Sequence, residues 1–248
     1  MKNNKLKSLV LAAALTCTSA FAASDNITDE QLQSAIEARL TEQLKNKEVA
    51  AYTAEFLMNE ILTWKGEPLA LNQADSILAY AFGNRLSANG NQQPGPMNEA
   101  LADVVVDLHK KTGKPVYAQW EIAQSIGDRI DPEFITSINP VIAADGTVIY
   151  LSTTGVADEV IKQAGGADKL GKTLVVGFYE HSLRTIMTSK QAGIDAYAPQ
   201  GIALPHDYDP QSGQAWTRDA LTFVMHEIRN RATNQRTQLI NEKLQKSN

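Results

Sequence analysis

From Ala74 onward, short uncharged apolar runs alternate with stretches in which apolar residues recur every three to four positions. Ser76–Phe82, Pro115–Gln119, Leu174–Phe178 and Ile194–Ala198 have the length and composition of buried strands. Met97–Lys111, Trp120–Ile126, Val156–Gln163 and Glu180–Gln191 have helical spacing, and Thr112-Gly113 and Gly165-Gly166 supply stop signals. Residues 134–153 hold strand-like material around a turn signal at Asp145-Gly146. A loop with Pro199, Pro205 and Pro210 leads to a long final helix from near Gln214, with a buried stripe predicted at Leu221, Val224, Met225 and Ile228. Strands alternating with helices predict an α/β protein with a mainly parallel sheet covered on both faces.

The segment before Ala74 reads differently. Leu32, Ile36, Leu40 and Leu44 recur every four positions, and Thr28 with Gln31 forms a capping-box pattern at the start. Asn46-Lys47 marks a break. A second helical pattern runs through Ala51, Ala54, Phe56, Leu57, Ile61 and Leu62 to the stop signal Lys65-Gly66-Glu67-Pro68. This is expected to be a helical appendage that packs on the main domain and offers a docking arm to an envelope protein partner.

The first residues carry the marks of an export signal. Lys2, Lys5 and Lys7 precede a short apolar core, Leu9–Leu15, and Ala20-Phe21-Ala22 is a small-x-small cleavage pattern. The apolar run is too short to span a bilayer comfortably. The expected organisation is a signal peptide over 1–22, a helical segment over 23–70 and an α/β domain over 71–248, located in the periplasm or secreted. Cys17 is the only cysteine and leaves with the leader, which excludes disulfides, thiol nucleophiles and cysteine metal clusters. Loss of the three leader lysines takes the formal charge from -5 to -8. An acidic chain without a long Lys/Arg cluster argues against nucleic acid as a partner, and no membrane span is expected after cleavage.

Candidate chemistry collects at strand ends, where ligands settle in open α/β sheets. His181 and Arg184 stand three apart just after Leu174–Phe178, on one face of a helix's first turn. The imidazole can exchange protons near neutral pH, and the guanidinium can grip an anion with a planar fork of donors. The competing reading has His181 capping a helix and Arg184 pairing with Glu180. Gly83-Asn84 ends the first strand, as a ligand approach or as a simple turn. Trp120-Glu121 follows the second strand: a stacking indole and a carboxylate base, or a core residue and a favourable first-turn charge. Ser152-Thr153-Thr154 precedes a helix and can donate to phosphate oxygens or cap it. His206-Asp207-Tyr208-Asp209 has no defined metal spacing, and His226-Glu227 lacks the second histidine of a zinc pair, so no metal is expected. The three-glycine dinucleotide fingerprint, the phosphate-loop lysine and the G-x-S-x-G elbow are all absent from the sequence, and the cofactor is unknown.

The order of these motifs resembles the YdcF, SanA and ElyC-like bacterial α/β family over residues 74–229. Ser76–Gly83 is similar to the family's first strand and glycine, and Gly90–Met97, with Pro94 and Pro96, to its proline-containing connection. Ser152-Thr153-Thr154 with Glu159 matches its Ser/Thr-rich stretch and acidic residue. Tyr179–Arg184, with Gly193-Ile194 downstream, resembles its Y-H-x-x-R-A signature. Glu180 intervenes between Tyr179 and His181, and Thr185 replaces the usual Ala. Asn98-Glu99 stands where an Arg opens the first helix, and Gln119-Trp120-Glu121 where a Ser-Gly-Gly turn is usual. The resemblance implies a Rossmann-like fold and, for exported members, a part in envelope biogenesis. One cytoplasmic relative is associated with S-adenosylmethionine, a cofactor scarce outside the cytoplasm. The expected ligand is a small anionic envelope metabolite, a phosphorylated glycan or lipid-carrier fragment. Arg184 would clamp the anion, His181 would act as acid/base and Glu121 would orient the substrate. The alternatives are hydrolysis of that ligand, or a non-catalytic binding or scaffold protein with a degenerate site.

Overall fold

The computed structural model describes residues 27–144 and 148–246. The leader with Cys17 and the Asp145-Gly146 turn lie outside the described residues. The chain divides into two compact units between Glu55 and Phe56.

In the first unit, α1 spans Asp29–Leu44, and Thr28 and Gln31 form the expected capping box. Lys45, with φ of 56°, ends the helix in the left-handed region. None of α1's residues is buried. Helix α2 (Lys47–Phe56) ends at the division, and a single π-helical turn over Leu57–Ile61 opens the second unit.

The second unit is the α/β body. Its strands are β1 (Pro68–Leu69), β2 (Ser76–Ala79), β5 (Val116–Gln119), β6 (Ile135–Ile138), β9 (Lys172–Val176) and β10 (Asp195–Pro199). They pair in parallel in the order β1-β10-β9-β2-β5-β6. Two antiparallel hairpins stand apart from the sheet: β3 (Arg85–Leu86) with β4 (Gln92–Gln93), and β7 (Val141–Ile142) with β8 (Val148–Ile149). Helices α3 (Pro96–Thr112), α4 (Trp120–Ile126), α5 (Thr153–Ala164) and α6 (Tyr179–Gln191) make the crossovers, and α7 (Ala220–Lys246) closes the chain. Chain order runs outward from β2 through β5 to β6, then returns across β2 to β9 and β10. That reversal is the Rossmann-like arrangement, with its switch point between β2 and β9.

Strand alternation assigns the two faces. Ile77, Ala79, Leu174 and Val176 pack with α3 and α4 residues such as Leu101, Val105 and Ile122. Leu78, Tyr80 and Val175 point to the other face, with Val156 and Val160 of α5 and Ile186 of α6. Among the described residues, no helix is long and apolar enough to cross a membrane.

The proline-containing connection Gly90–Met97 supplies β4 of the first hairpin. One expectation needs correction. The final helix was expected to bury Leu221 and Met225, but these are 76% and 59% exposed. Helix α7 instead buries Phe223, Glu227 and Arg231, four residues apart. Its inner stripe is two-thirds charged, which a search for apolar periodicity passes over.

Candidate functional site

The carboxyl ends of β2 and β9 open on a cavity of about 400 Å³. Its floor is Tyr80–Gly83 after β2, and its walls come from α5, α6 and α7. Gly83 is needed where it is: its φ is +65°, and a Cβ there would lie within 3 Å of Met97, Ser212 and Thr217. Asn98 fixes the same turn from the first turn of α3. Its side-chain oxygen accepts from Phe82 N at 2.9 Å, and its amide donates to Gly83 O at 2.9 Å.

His181 and Arg184 both face this cavity from α6. Arg184 is not paired with Glu180. Its Nε donates to both carboxylate oxygens of Glu227 at 2.9 Å, and its Nη1 donates to Thr153 Oγ1 at 2.9 Å. Glu227 is fully buried and also accepts from Arg231 Nε at 3.4 Å. Arg231 donates onward to the carbonyls of Glu60 and Thr63 and lies over the Trp64 ring at 4.3 Å. Two guanidiniums share one carboxylate, so the cluster carries a net positive charge behind the cavity wall. Burial alone would raise the Glu227 carboxyl, but His181 and Arg184 outweigh it and hold it at about 2.

His181 Nδ1 stands 3.6 Å from Glu227 Oε2, an approach rather than a hydrogen bond, and has no other partner. Burial and the Arg184 charge lower its pKa to about 4 despite Glu227. At neutral pH it is therefore an uncharged imidazole with a carboxylate behind it. Phe82 and Phe223 pack against it, and Phe82 stacks on Phe178 at 4.0 Å between centroids.

The opposite wall carries Ser152, Thr153 and Thr154 at the start of α5. Ser152 caps the helix, accepting from Gly155 N at 3.1 Å, so capping and cavity lining coexist in one residue. Glu121 lies one layer behind. Its carboxylate is fully buried and accepts from the Tyr150 hydroxyl, which in turn accepts from Gln119 Nε2 at 3.1 Å. Tyr150 and Gln119 line the cavity; Glu121 does not. Burial raises the Glu121 carboxyl to about 7, with Tyr150 opposing, and its Oε2 has no partner.

The structure thus gathers Gly83, Ser152, Thr153, Thr154, His181 and Arg184 around one cavity and sets Glu121 behind Tyr150. Asn84 is buried beside it, its carbonyl accepting from Gly213 N at 2.7 Å. Trp120 lines a separate depression that also borders Tyr150. In the loop 206–209, Asp209 takes a bidentate contact from Arg85, at 2.8 and 3.1 Å. Among the described residues no cluster of three or more metal-ligating side chains forms.

Arg231, Tyr150 and the rim of the cavity carry no local sequence signal, while Asn98 stands out only as a departure from the family pattern and Glu227 only beside His226. At the rim Trp216, 42% exposed, stacks on His226 with rings 5.6 Å apart and 12° from parallel, beside Gln214, Asn230 and Asn234. The signal was available only in part. His226-Glu227 stands out only as half of a zinc pair, because Arg184, which Glu227 anchors, lies 43 residues away in sequence.

Fold and site together define a Rossmann-like α/β protein with a polar cavity at the sheet's switch point. No protein-family model matches the chain, and neither a search of curated proteins nor one of solved structures finds a match.

Proposed function

We propose that this cavity binds a small phosphorylated glycan or a phosphate-bearing lipid-carrier fragment of the cell envelope, in an exported protein of the YdcF, SanA and ElyC type. The observation that carries the reading is the charge of the wall. Among the described residues Arg184 is the charged side chain that lines it, beside the imidazoles of His181 and His226, and no Asp or Glu does. In a chain of formal charge -5, this is a local reversal of sign. Arg184 retains donors beyond those given to Glu227 and Thr153, and the hydroxyls of Thr153 and Thr154 stand at a helix N-terminus, a favourable place for an anion. Trp216 offers an aromatic face to a sugar ring, and the Asn and Gln amides match its hydroxyls.

A hydrolytic version rests on the Glu227–His181 pair. A neutral imidazole backed by a carboxylate can accept a proton from a water attacking the phosphorus of a phosphate ester; the ester P–O bond breaks, and the imidazolium returns the proton to the leaving alcohol. In that version Tyr150, backed by Glu121, orients the substrate. The test uses a panel of phosphomonoesters and lipid-carrier phosphates, with and without divalent metals. Turnover lost in both His181→Ala and Arg184→Ala supports the enzyme. Binding without turnover, weakened at least about tenfold only in the Arg184 variant, supports a receptor. Wild-type behaviour of both variants sinks the site.

A further inference from the structure

The first turn of α6 separates two cavities. His181 and Arg184 face the one described above, while Tyr179, Glu180 and Ser182 line a second, of about 760 Å³. Its other wall is the chain leaving β10, where Pro199, Ile202, Ala203 and Leu204 make the surface largely apolar, with Trp64 and Lys65 at the margin. Into this apolar space the protein places a carboxylate. Glu180 Oε2 is buried, with the Tyr208 hydroxyl as its neighbour but no hydrogen bond of full geometry between them. A carboxylate held beside an apolar wall by little more than a hydroxyl is costly to keep charged, and a cation brought to it recovers part of that cost.

We propose that this second cavity binds a small molecule carrying one primary ammonium group on an apolar body, with Glu180 as the counter-ion. Burial raises the Glu180 carboxyl above its ordinary range, outweighing the lowering influence of its own backbone amide, Tyr208 and His206. His206 and Lys65 border the same space, so a second positive group on the ligand is disfavoured. The ammonium contacts Glu180, and the hydrocarbon lies along Ile202–Leu204. The site is independent of phosphate recognition, because Arg184 and His181 point away from it.

The probe is n-hexylamine, compared with hexan-1-ol of the same length, titrated into the full chain and followed by backbone amide shifts at residues 199–204. Hexylamine is expected to bind about tenfold more tightly than the alcohol, the factor a single charge-assisted contact supplies. Glu180→Gln is expected to remove that preference while phosphomonoester binding at the first cavity stays as in wild type. Ala203→Leu, which fills the apolar wall, is expected to weaken both probes. Equal affinity for amine and alcohol, a preference that survives Glu180→Gln, or no binding of either at millimolar concentration overturns the proposal.

Discussion

Two buried acids near the cavity have opposite protonation logic. Glu227 is surrounded by guanidiniums and stays ionised, whereas Glu121 has only neutral donors and is raised to about 7. Between the ordinary carboxylate value of 4.5 and 7, folded Glu121 binds more protons than it does unfolded, so its contribution to stability falls as pH rises through that window. The full effect is about 3 kcal/mol. His181 runs the other way: lowered to about 4, it contributes stability that is present above 6.5 and lost as pH falls towards 4. Comparing wild type with Glu121→Gln cancels the histidine effect. The variant should gain on wild type by up to about 3 kcal/mol between pH 5 and pH 8, measured by urea unfolding. A gap that does not change with pH would mean that Glu121 stays ionised. From sequence, Glu121 was legible as a carboxylate after a strand. Its dependence on Tyr150 was not, because nothing local links positions 121 and 150.

Among the elements, α7 shows why the site was only half legible. The strands and crossover helices follow from local apolar runs and glycine stops, and they appear within a few residues of where periodicity puts them. Helix α7 docks through Phe223, Glu227 and Arg231, so its partners, not its own pattern, decide which face turns inward. Glu227→Ala leaves Arg184 and Arg231 buried without their carboxylate and should cost about 3–5 kcal/mol. Leu221→Ser, on the face that apolar spacing selected, should change stability by less than about 0.5 kcal/mol. Thermal unfolding of both variants decides between the two faces. A large loss in the Leu221 variant would restore the apolar stripe. His181 and Arg184 were legible because a strand end is a property of the local sequence. Their anchor was not, because it lies 43 positions from Arg184.

Across the molecule, the parallel order of the sheet turns scattered motifs into one place. The reversal at β2 brings the loops after β2, β5 and β9 to a common edge, where residues from 80 to 234 meet. Alternation of strand and helix predicted this architecture, but not the short edge strand Pro68–Leu69, whose two residues carry no periodic signal. Both apolar clusters lie entirely within residues 69–223. A chain starting at Phe56 should therefore keep a cooperative thermal transition, measured by circular dichroism; a non-cooperative melt would show that the first unit is needed for folding. On the function proposed above, the net positive cluster at Arg184 makes this switch-point cavity a phosphate-ester site. The most direct test is calorimetric titration of the full chain with glucose 1-phosphate and with glucose. The phosphate ester should bind, with binding at least about tenfold weaker for glucose and for the ester with Arg184→Gln. Equal affinities for sugar and sugar phosphate, or an Arg184→Gln variant that binds like wild type, would contradict it.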